Sequence, residues 1–156
     1  MTSELVLNAL QSMEFTQFLA PKQLEKLASI STFVTFSEGA TIFREGDDSE
    51  LVYVIQEGEV SLLTQVPGHN KVTILTIGPG QFLGWSSLFP PKKKTAGAQT
   101  NSPTRAIAIN AQHLLDACKD DHDIGYEVMW RIAQVVSERL SASRDQLLDM
   151  FEPTKK

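Results

Sequence analysis

The middle of the chain constrains its fold most, because it consists of short runs rich in Val, Ile, Phe and Thr. Six such runs follow one another between Thr32 and Ile109: TFVTF, ATIFRE, LVYVIQ, EVSLLTQV, KVTILTI and RAIAI. β-Branched and aromatic residues favour extended strands. Glycines at 39, 46, 58, 68 and 78 separate the runs at intervals of 7, 12, 10 and 10 residues, and Glu57-Gly58 and Pro67-Gly68 are predicted turns. This spacing predicts an antiparallel sandwich or barrel-like roll.

Both ends of the chain carry helical periodicity instead. Pro21 opens a short N-terminal helix, and Asn110 is the predicted N-cap of a helix from Ala111 to Lys119. A longer helix follows, with a stripe of Ile124, Val128, Ile132, Val135, Arg139, Ser143 and Leu147. The 156 residues suit one domain. We therefore predict a mainly β (α+β) domain over 1–156, with helices in 3–30, a β-roll in 31–109 and C-terminal helices in 110–152.

The predicted terminal helix extends further than a small roll can cover. Its stripe continues into Leu147, Leu148 and Phe151. A second subunit could bury these side chains, so we expect a homodimer through 121–151. A helix that lies wholly on its own domain is the alternative.

Composition and charge limit the classes of partner that the protein is expected to bind. The net charge is -5 and the pI about 5.2, which argues against nucleic acid as the main partner. The N-terminus lacks the pattern of a signal peptide and no stretch has membrane-spanning length, so we expect a cytoplasmic protein without membrane contact. Cys118, in the run HLLDACK, is predicted to be a small buried hydrophobe rather than a reactive thiol.

Catalytic and metal-binding patterns are missing from the sequence. The three histidines, His69, His113 and His122, are widely separated, and no Gly-x-Ser-x-Gly motif is present. A cupin-type metal enzyme, the weaker alternative for a β-roll, would need a paired His-x-His that this sequence lacks. We expect neither an enzyme nor a metal site.

Three segments resemble the cyclic nucleotide-binding domain family in the arrangement of bacterial Crp-type regulators. They are LAPKQLEKLASIS, EGATIFREGDDSELVYVIQEGEVSLL and GPGQFLGWSSLF. The middle segment is similar to the family pattern Gly-x-x-[Ile/Leu]-x-x-x-Gly-[Asp/Glu] followed by Tyr-x-[Ile/Val]-x-x-Gly-x-Val. The matching residues are Gly39, Ile42, Gly46, Asp47, Tyr53, Ile55, Gly58 and Val60. The resemblance covers about Leu5 to Leu148 and implies a β-roll (jelly-roll) with N-terminal helices and a long C-terminal helix.

The resemblance also implies that Phe82 to Gln99, FLGWSSLFPPKKKTAGAQ, is a phosphate-binding cassette. In the family, an acid directly after a glycine binds the ribose, and an arginine nine or ten positions later pairs with the phosphate. Here Gly84 matches the glycine, Trp85 replaces the acid, and Lys94 or Thr95 stands in place of the arginine. An indole cannot accept a hydrogen bond and a lysine lacks the bidentate fork, so we expect weak or no binding of cyclic AMP and cyclic GMP.

The cassette supplies the candidate ligand-binding residues. They are Phe82, Leu83, Gly84, Trp85, Ser86, Ser87, Lys93, Lys94 and Thr95. Trp85 could stack on a flat ligand or fill the roll, and the two serines could face an anion or cap the cassette helix. The lysine run could surround an anion or form a solvated loop face, with only one lysine pointing inward.

The functional prediction is a stand-alone regulatory sensor that binds a small anionic ligand or a nucleotide and signals to a protein partner through its terminal helix. No cofactor is certain, and a cyclic nucleotide is one possible ligand. Crp-type regulators continue into a helix-turn-helix, whereas this chain stops at Lys156, so we expect no DNA-binding domain in it. The rival hypothesis is a dimerisation scaffold that has lost nucleotide binding.

Overall fold

The computed structural model describes residues 2–13, 16–48, 50–89, 93–94 and 96–151, with side chains from residue 4 onward. Two helices come first, α1 (Thr2–Gln11) and α2 (Pro21–Ser29). Eight strands follow: β1 (Ser31–Phe36), β2 (Thr41–Phe43), β3 (Leu51–Glu57), β4 (Val60–Gln65), β5 (Lys71–Ile77), β6 (Phe82–Leu83), β7 (Gly97–Thr100) and β8 (Thr104–Asn110). A 3₁₀ helix (Trp85–Leu88) separates β6 from β7, and α3 (Ala111–Asp120) and α4 (His122–Met150) end the described chain.

The strands form two four-stranded antiparallel sheets, in the orders β1-β8-β3-β6 and β2-β7-β4-β5. Flanking helices cover this β-roll, so the predicted fold class is confirmed. The predicted turns are also present, with Gly58 at φ +98° and Gly68 at φ +78°. Two strands, β6 and β7, begin within the segment that the sequence assigned only to the cassette.

The central strands β3 and β8 are buried on both faces. Their side chains alternate between faces, so that Val52 and Val54 pack with the helices while Tyr53 and Ile55 face the second sheet. On β8 the larger Ile107 and Ile109 lie on the helix side and alanines lie inside the roll. This explains the nearly continuous apolar sequence of both strands and places one core between sheet and helices and another inside the roll.

Side-chain caps define the starts of the two C-terminal helices. The Asn110 side chain accepts a hydrogen bond from the His113 amide at 3.0 Å, as predicted for an N-cap. The Asp121 carboxylate accepts from the amides of Asp123 and Ile124 and starts α4, which is 29 residues long. In the described part of the chain, no helix is both long and apolar enough to cross a membrane.

The two halves of α4 differ in burial. Ile124, Val128, Ile132 and Val135 are buried against the rest of the domain. Beyond them, the apolar residues Leu140, Leu147, Leu148 and Phe151 are exposed to 70%, 54%, 54% and 79%. The second half of the helix therefore presents an apolar stripe that the described residues leave exposed.

We predict that two copies pair through this stripe. Burying Leu147, Leu148 and Phe151 is worth roughly 1.5–3 kcal/mol each. Light scattering of the 17.3 kDa chain should therefore give twice that mass. The double variant Leu147→Lys/Leu148→Lys should be monomeric, whereas Leu5→Lys, at an exposed leucine of α1, should not change the mass. A wild-type monomer at high micromolar concentration would contradict the prediction.

Candidate ligand-binding site

The cassette leaves the sheet through β6, which pairs with β3 in the register Tyr53 with Leu83 and Val54 with Phe82. Both β6 side chains are buried, but on opposite faces. Phe82 lies in the core beside the helices and Leu83 in the core inside the roll. These two candidate residues therefore anchor the start of the cassette within the cores.

Gly84 forms the bend between β6 and the 3₁₀ helix. Its φ is +79°, in the left-handed region that favours glycine. A Cβ at this position would lie 2.7 Å from Lys94 Nζ and 3.2 Å from the Leu51 carbonyl oxygen. The backbone at Gly84 thus lies close to the protein's own Lys94 amine and to strand β3.

We expect Gly84→Ala to destabilise the fold by more than the backbone strain alone. Left-handed backbone costs an L-residue about 1–2 kcal/mol, and the added methyl would also displace the Lys94 amine. Gly80→Ala is the matched control, because Gly80 has φ +84° and a Cβ added there would have no neighbour within 4 Å. In urea unfolding, the free energy of unfolding should fall by at least about 1 kcal/mol more in Gly84→Ala than in Gly80→Ala. This difference is about the contribution of one hydrogen bond. Equal losses would show that the Lys94 contact is unimportant.

Lys94 is buried, with 5% exposure, directly beneath Gly84. Its amine donates to Ser87 Oγ at 2.8 Å and to the Leu51 carbonyl at 3.0 Å, and it lies 4.4 Å from the centre of the Phe43 ring. Burial lowers the pKa of Lys94 to about 8, and the charge of Asp47 acts in the opposite direction. Lys94, one of the two residues that the resemblance offers in place of the family's arginine, is therefore inward-facing and engaged by protein atoms.

The two serines and the neighbouring lysine have different surroundings. Ser87 is fully buried and its hydroxyl donates to the Leu51 carbonyl at 2.9 Å. No side chain caps the 3₁₀ helix, so the capping role that the sequence allowed for the serines is not found. Ser86 is half-buried and lines a small cavity. Lys93 forms a surface salt bridge with Asp48, and Thr95 lies outside the described residues.

Trp85 of the cassette is half-buried, and its ring contacts Arg139 of α4. Its ring makes an edge contact with Phe89, with centroids 6.4 Å apart. The Arg139 guanidinium carbon lies 5.4 Å from the centre of the same ring. Burial lowers the pKa of Arg139. The sequence pattern places Arg139 on the helix stripe without a role in the site, although a charged residue within an apolar stripe is a signal that could have singled it out.

Two adjoining cavities lie at this contact and share Leu62, Trp85, Ala96 and Arg139. The one beside Gly84 and Ser86 holds only about 20 Å³. The other, of about 250 Å³, extends between the roll and Ala142, Ser143 and Gln146 of α4. Larger clefts of about 480 Å³ along β2, β4 and β7 and about 330 Å³ beside Phe18 and Trp130 contain none of the candidate ligand-binding residues. We call the 250 Å³ space the helix cleft.

Comparison with known proteins identifies the family to which the chain belongs. The family profile described as "Cyclic nucleotide-binding domain" matches residues 33–121. The chain belongs to the cyclic nucleotide-binding domain family. The resemblance seen in the sequence is therefore confirmed. Within the described residues, no group of three or more His, Cys, Asp or Glu could hold a metal ion.

Individual members show how far the similarity extends. The CRP-like cAMP-activated global transcriptional regulator of Mycobacterium tuberculosis is 25% identical over 86% of this chain, which spans only 58% of that regulator's length. A candidate cyclic nucleotide-binding protein from Geobacter metallireducens is 28% identical, with a TM-score of 0.73 over 85% of this chain and 96% of that one. A cyclic nucleotide-binding domain from Methylobacillus flagellatus shares the fold, with a TM-score of 0.78, 20% identity and coverage of 99% and 84%. This domain of the chain is thus related to regulatory domains.

Proposed function

We propose that this chain is a regulatory module that binds a small anionic ligand in the helix cleft and signals to a partner protein through α4. The observation that carries the proposal is that the cassette and α4 line one cleft. Trp85 and Ala96 form its roll side, while Ala142, Ser143 and Gln146 form its helix side. A molecule bound there would contact both elements at once.

The proposed signal is a shift in the position of α4. A ligand changes the balance between two arrangements only if it binds them with different affinity. In the helix cleft this condition is met, because any displacement of α4 alters the ligand's own contacts with Ala142 and Ser143. The exposed stripe at the end of the helix would present the change to a second copy or to another protein.

The volume of the helix cleft bears on the size of the ligand. Drug-sized sites commonly hold about 300–1,000 Å³, and the helix cleft holds about 250 Å³. A molecule of modest size fits in this volume. The relative from M. tuberculosis is described as cAMP-activated, but the replacement of the acid by Trp85 favours a different anion here.

A thermal-shift screen of the intact protein tests the proposal. The panel contains cyclic AMP, cyclic GMP, linear nucleotides, small carboxylates and phosphate esters. A ligand that binds only the folded state must raise the melting temperature, so at least one class of anion should do so. A panel without any stabilising compound would contradict ligand binding.

A ligand-free dimerisation scaffold is the second candidate. It is favoured by the cavity beside Gly84 and Ser86, which at about 20 Å³ has room for little more than one water molecule. It is also favoured by Lys94, whose amine is engaged by Ser87 and Leu51. In this case the screen would find no ligand while the protein would still be a dimer.

A further inference from the structure

The contact between Trp85 and Arg139 contains a concentration of unsatisfied hydrogen-bond donors. In the described part of the chain, five buried side-chain polar atoms lack a hydrogen-bond partner, and three of them are Trp85 Nε1, Arg139 Nε and Arg139 Nη2. Buried polar groups are nearly always paired, since an unpaired one loses its hydration without compensation. Three such atoms on two neighbouring side chains therefore require a chemical explanation.

All three atoms can only donate. The indole nitrogen and the guanidinium nitrogens have no accepting lone pair. Neither the small cavity nor the helix cleft has an aspartate or glutamate among its described lining residues. The described residues thus provide no carboxylate at this place, and the missing partner must be an acceptor, most favourably one with negative charge.

The two cassette lysines that the structure describes do not offer a cation to an anion in the helix cleft. The Lys94 amine is held by Ser87, Leu51 and the Phe43 ring, and Lys93 is paired with Asp48 at the surface. Neither lysine lines the two cavities that Arg139 lines. Arg139 is the cation of the described residues that faces the helix cleft.

We propose that Trp85 Nε1 and the Arg139 guanidinium together form a receptor for an oxyanion, a carboxylate or a phosphate, on the ligand of this module. This inference rests on the proposed function and assigns anion recognition to the terminal helix instead of the cassette lysines. The rest of the helix cleft is apolar on its roll side, where Leu62, Ile74 and Leu75 line it. The ligand class is therefore a small molecule that carries an oxyanion on a compact apolar body.

The receptor would couple binding to signalling directly. Arg139 lies on α4 and Trp85 on the cassette, so an oxyanion that accepts from both draws the two elements together. A planar guanidinium binds a carboxylate or phosphate with two parallel hydrogen bonds, which fixes direction as well as distance. The position of α4 would then depend on the presence of the anion.

Three probes on one scaffold test the inference by calorimetry and thermal shift: benzoate, phenyl phosphate and neutral benzyl alcohol. We expect benzoate or phenyl phosphate to bind and benzyl alcohol not to bind, and the stronger of the two anions identifies the oxyanion. Arg139→Gln should weaken binding of that anion about tenfold or more, while Arg139→Lys should retain part of it. Trp85→Phe, which keeps a ring but removes the N–H, should weaken binding several-fold. Arg144→Gln, at an exposed arginine of the same helix, is the matched control and should bind like wild type.

The unliganded variants give a second readout. If the guanidinium serves to bind a ligand, Arg139→Gln without any probe should melt at the wild-type temperature or above it, because the substitution removes a buried charge whose Nε and Nη2 have no hydrogen-bond partner. A large drop in melting temperature, with anion affinity unchanged in the surviving folded protein, would assign Arg139 a structural role and overturn the inference.

The remaining outcomes separate this inference from the proposed function. The anions could bind equally well to wild type and Arg139→Gln, or only Lys94→Met could lower their affinity. In either case the inference is overturned, because the anion is bound elsewhere, while the proposed function as an anion sensor stands. If no probe and no nucleotide binds wild type at all, both the inference and the proposed function are overturned.

Discussion

Calorimetric titration with cyclic AMP or cyclic GMP should give dissociation constants well above about 1 µM, a level that corresponds to roughly 8 kcal/mol of binding free energy. By the resemblance in sequence, Trp85 replaces the family's ribose-binding acid, and Lys94 or Thr95 replaces its arginine. The Lys94 amine is bound to Ser87 and Leu51. Each lost charge-assisted contact costs about 1.5–3 kcal/mol, so two can reduce affinity by roughly a thousandfold or more.

A variant that introduces a carboxylate after Gly84 tests the reason given for the weak binding of cyclic nucleotides. Trp85→Glu replaces the indole with a carboxylate next to Gly84, and it should tighten binding of cyclic AMP relative to wild type. Trp85→Gln has a similar size without the charge and should tighten it less. A submicromolar dissociation constant of the wild-type protein for either cyclic nucleotide would refute the prediction.

The contribution of Lys94 to stability should rise between pH 7.5 and 9.5, because this pH range lies roughly between the pKa values of Lys94 in the folded and the unfolded protein. Burial lowers the pKa of Lys94 to about 8 in the folded protein, from an ordinary value of 10.5. In this pH range the unfolded chain therefore binds more protons at Lys94 than the folded chain, so the free energy of unfolding increases with pH. The stability cost of the buried ammonium is fully present at pH values below the folded pKa and is relieved above it.

Lys94→Met isolates this contribution, because methionine keeps much of the packing without a titrating group. The free energy of unfolding of wild type relative to Lys94→Met should rise by about 2 kcal/mol from about pH 7.5 to 9.5. Lys93→Met, which removes a lysine at the surface, should keep the wild-type dependence. Urea unfolding at the two pH values measures all three proteins. Parallel pH curves for wild type and Lys94→Met would show that the Lys94 amine is not desolvated.

The strands β3 and β8 could be predicted from their own side chains. β3 and β8 are apolar on both faces and pair with each other in the core, so their composition sufficed. β7 contains Gly97 and Ala98, which have little intrinsic strand preference. It becomes a strand because it lies between β2 and β4, and a pattern within one segment does not reveal such a pairing.

The sequence suggested candidate ligand-binding residues but not the contacts that they make. The sequence placed the cassette and singled out Gly84, Trp85 and an inward-facing lysine. It left open what Lys94 meets, because its partners include Leu51, on a strand 43 positions earlier. Arg139 was missed for the same reason, since its meeting with Trp85 depends on how α4 crosses the roll. Contacts between distant segments arise from packing, which local sequence does not encode.

Hydrogen exchange of the backbone amides tests the central claim, that a ligand couples the cassette to α4. The measurement uses the intact protein with and without the tightest-binding compound of the screen at saturation. We expect slower exchange both at Gly84–Ser87 and in the turns of α4 around Arg139 and Ser143, because a ligand in the helix cleft contacts both. Slower exchange confined to the roll, with α4 unchanged at saturation, would contradict the claim.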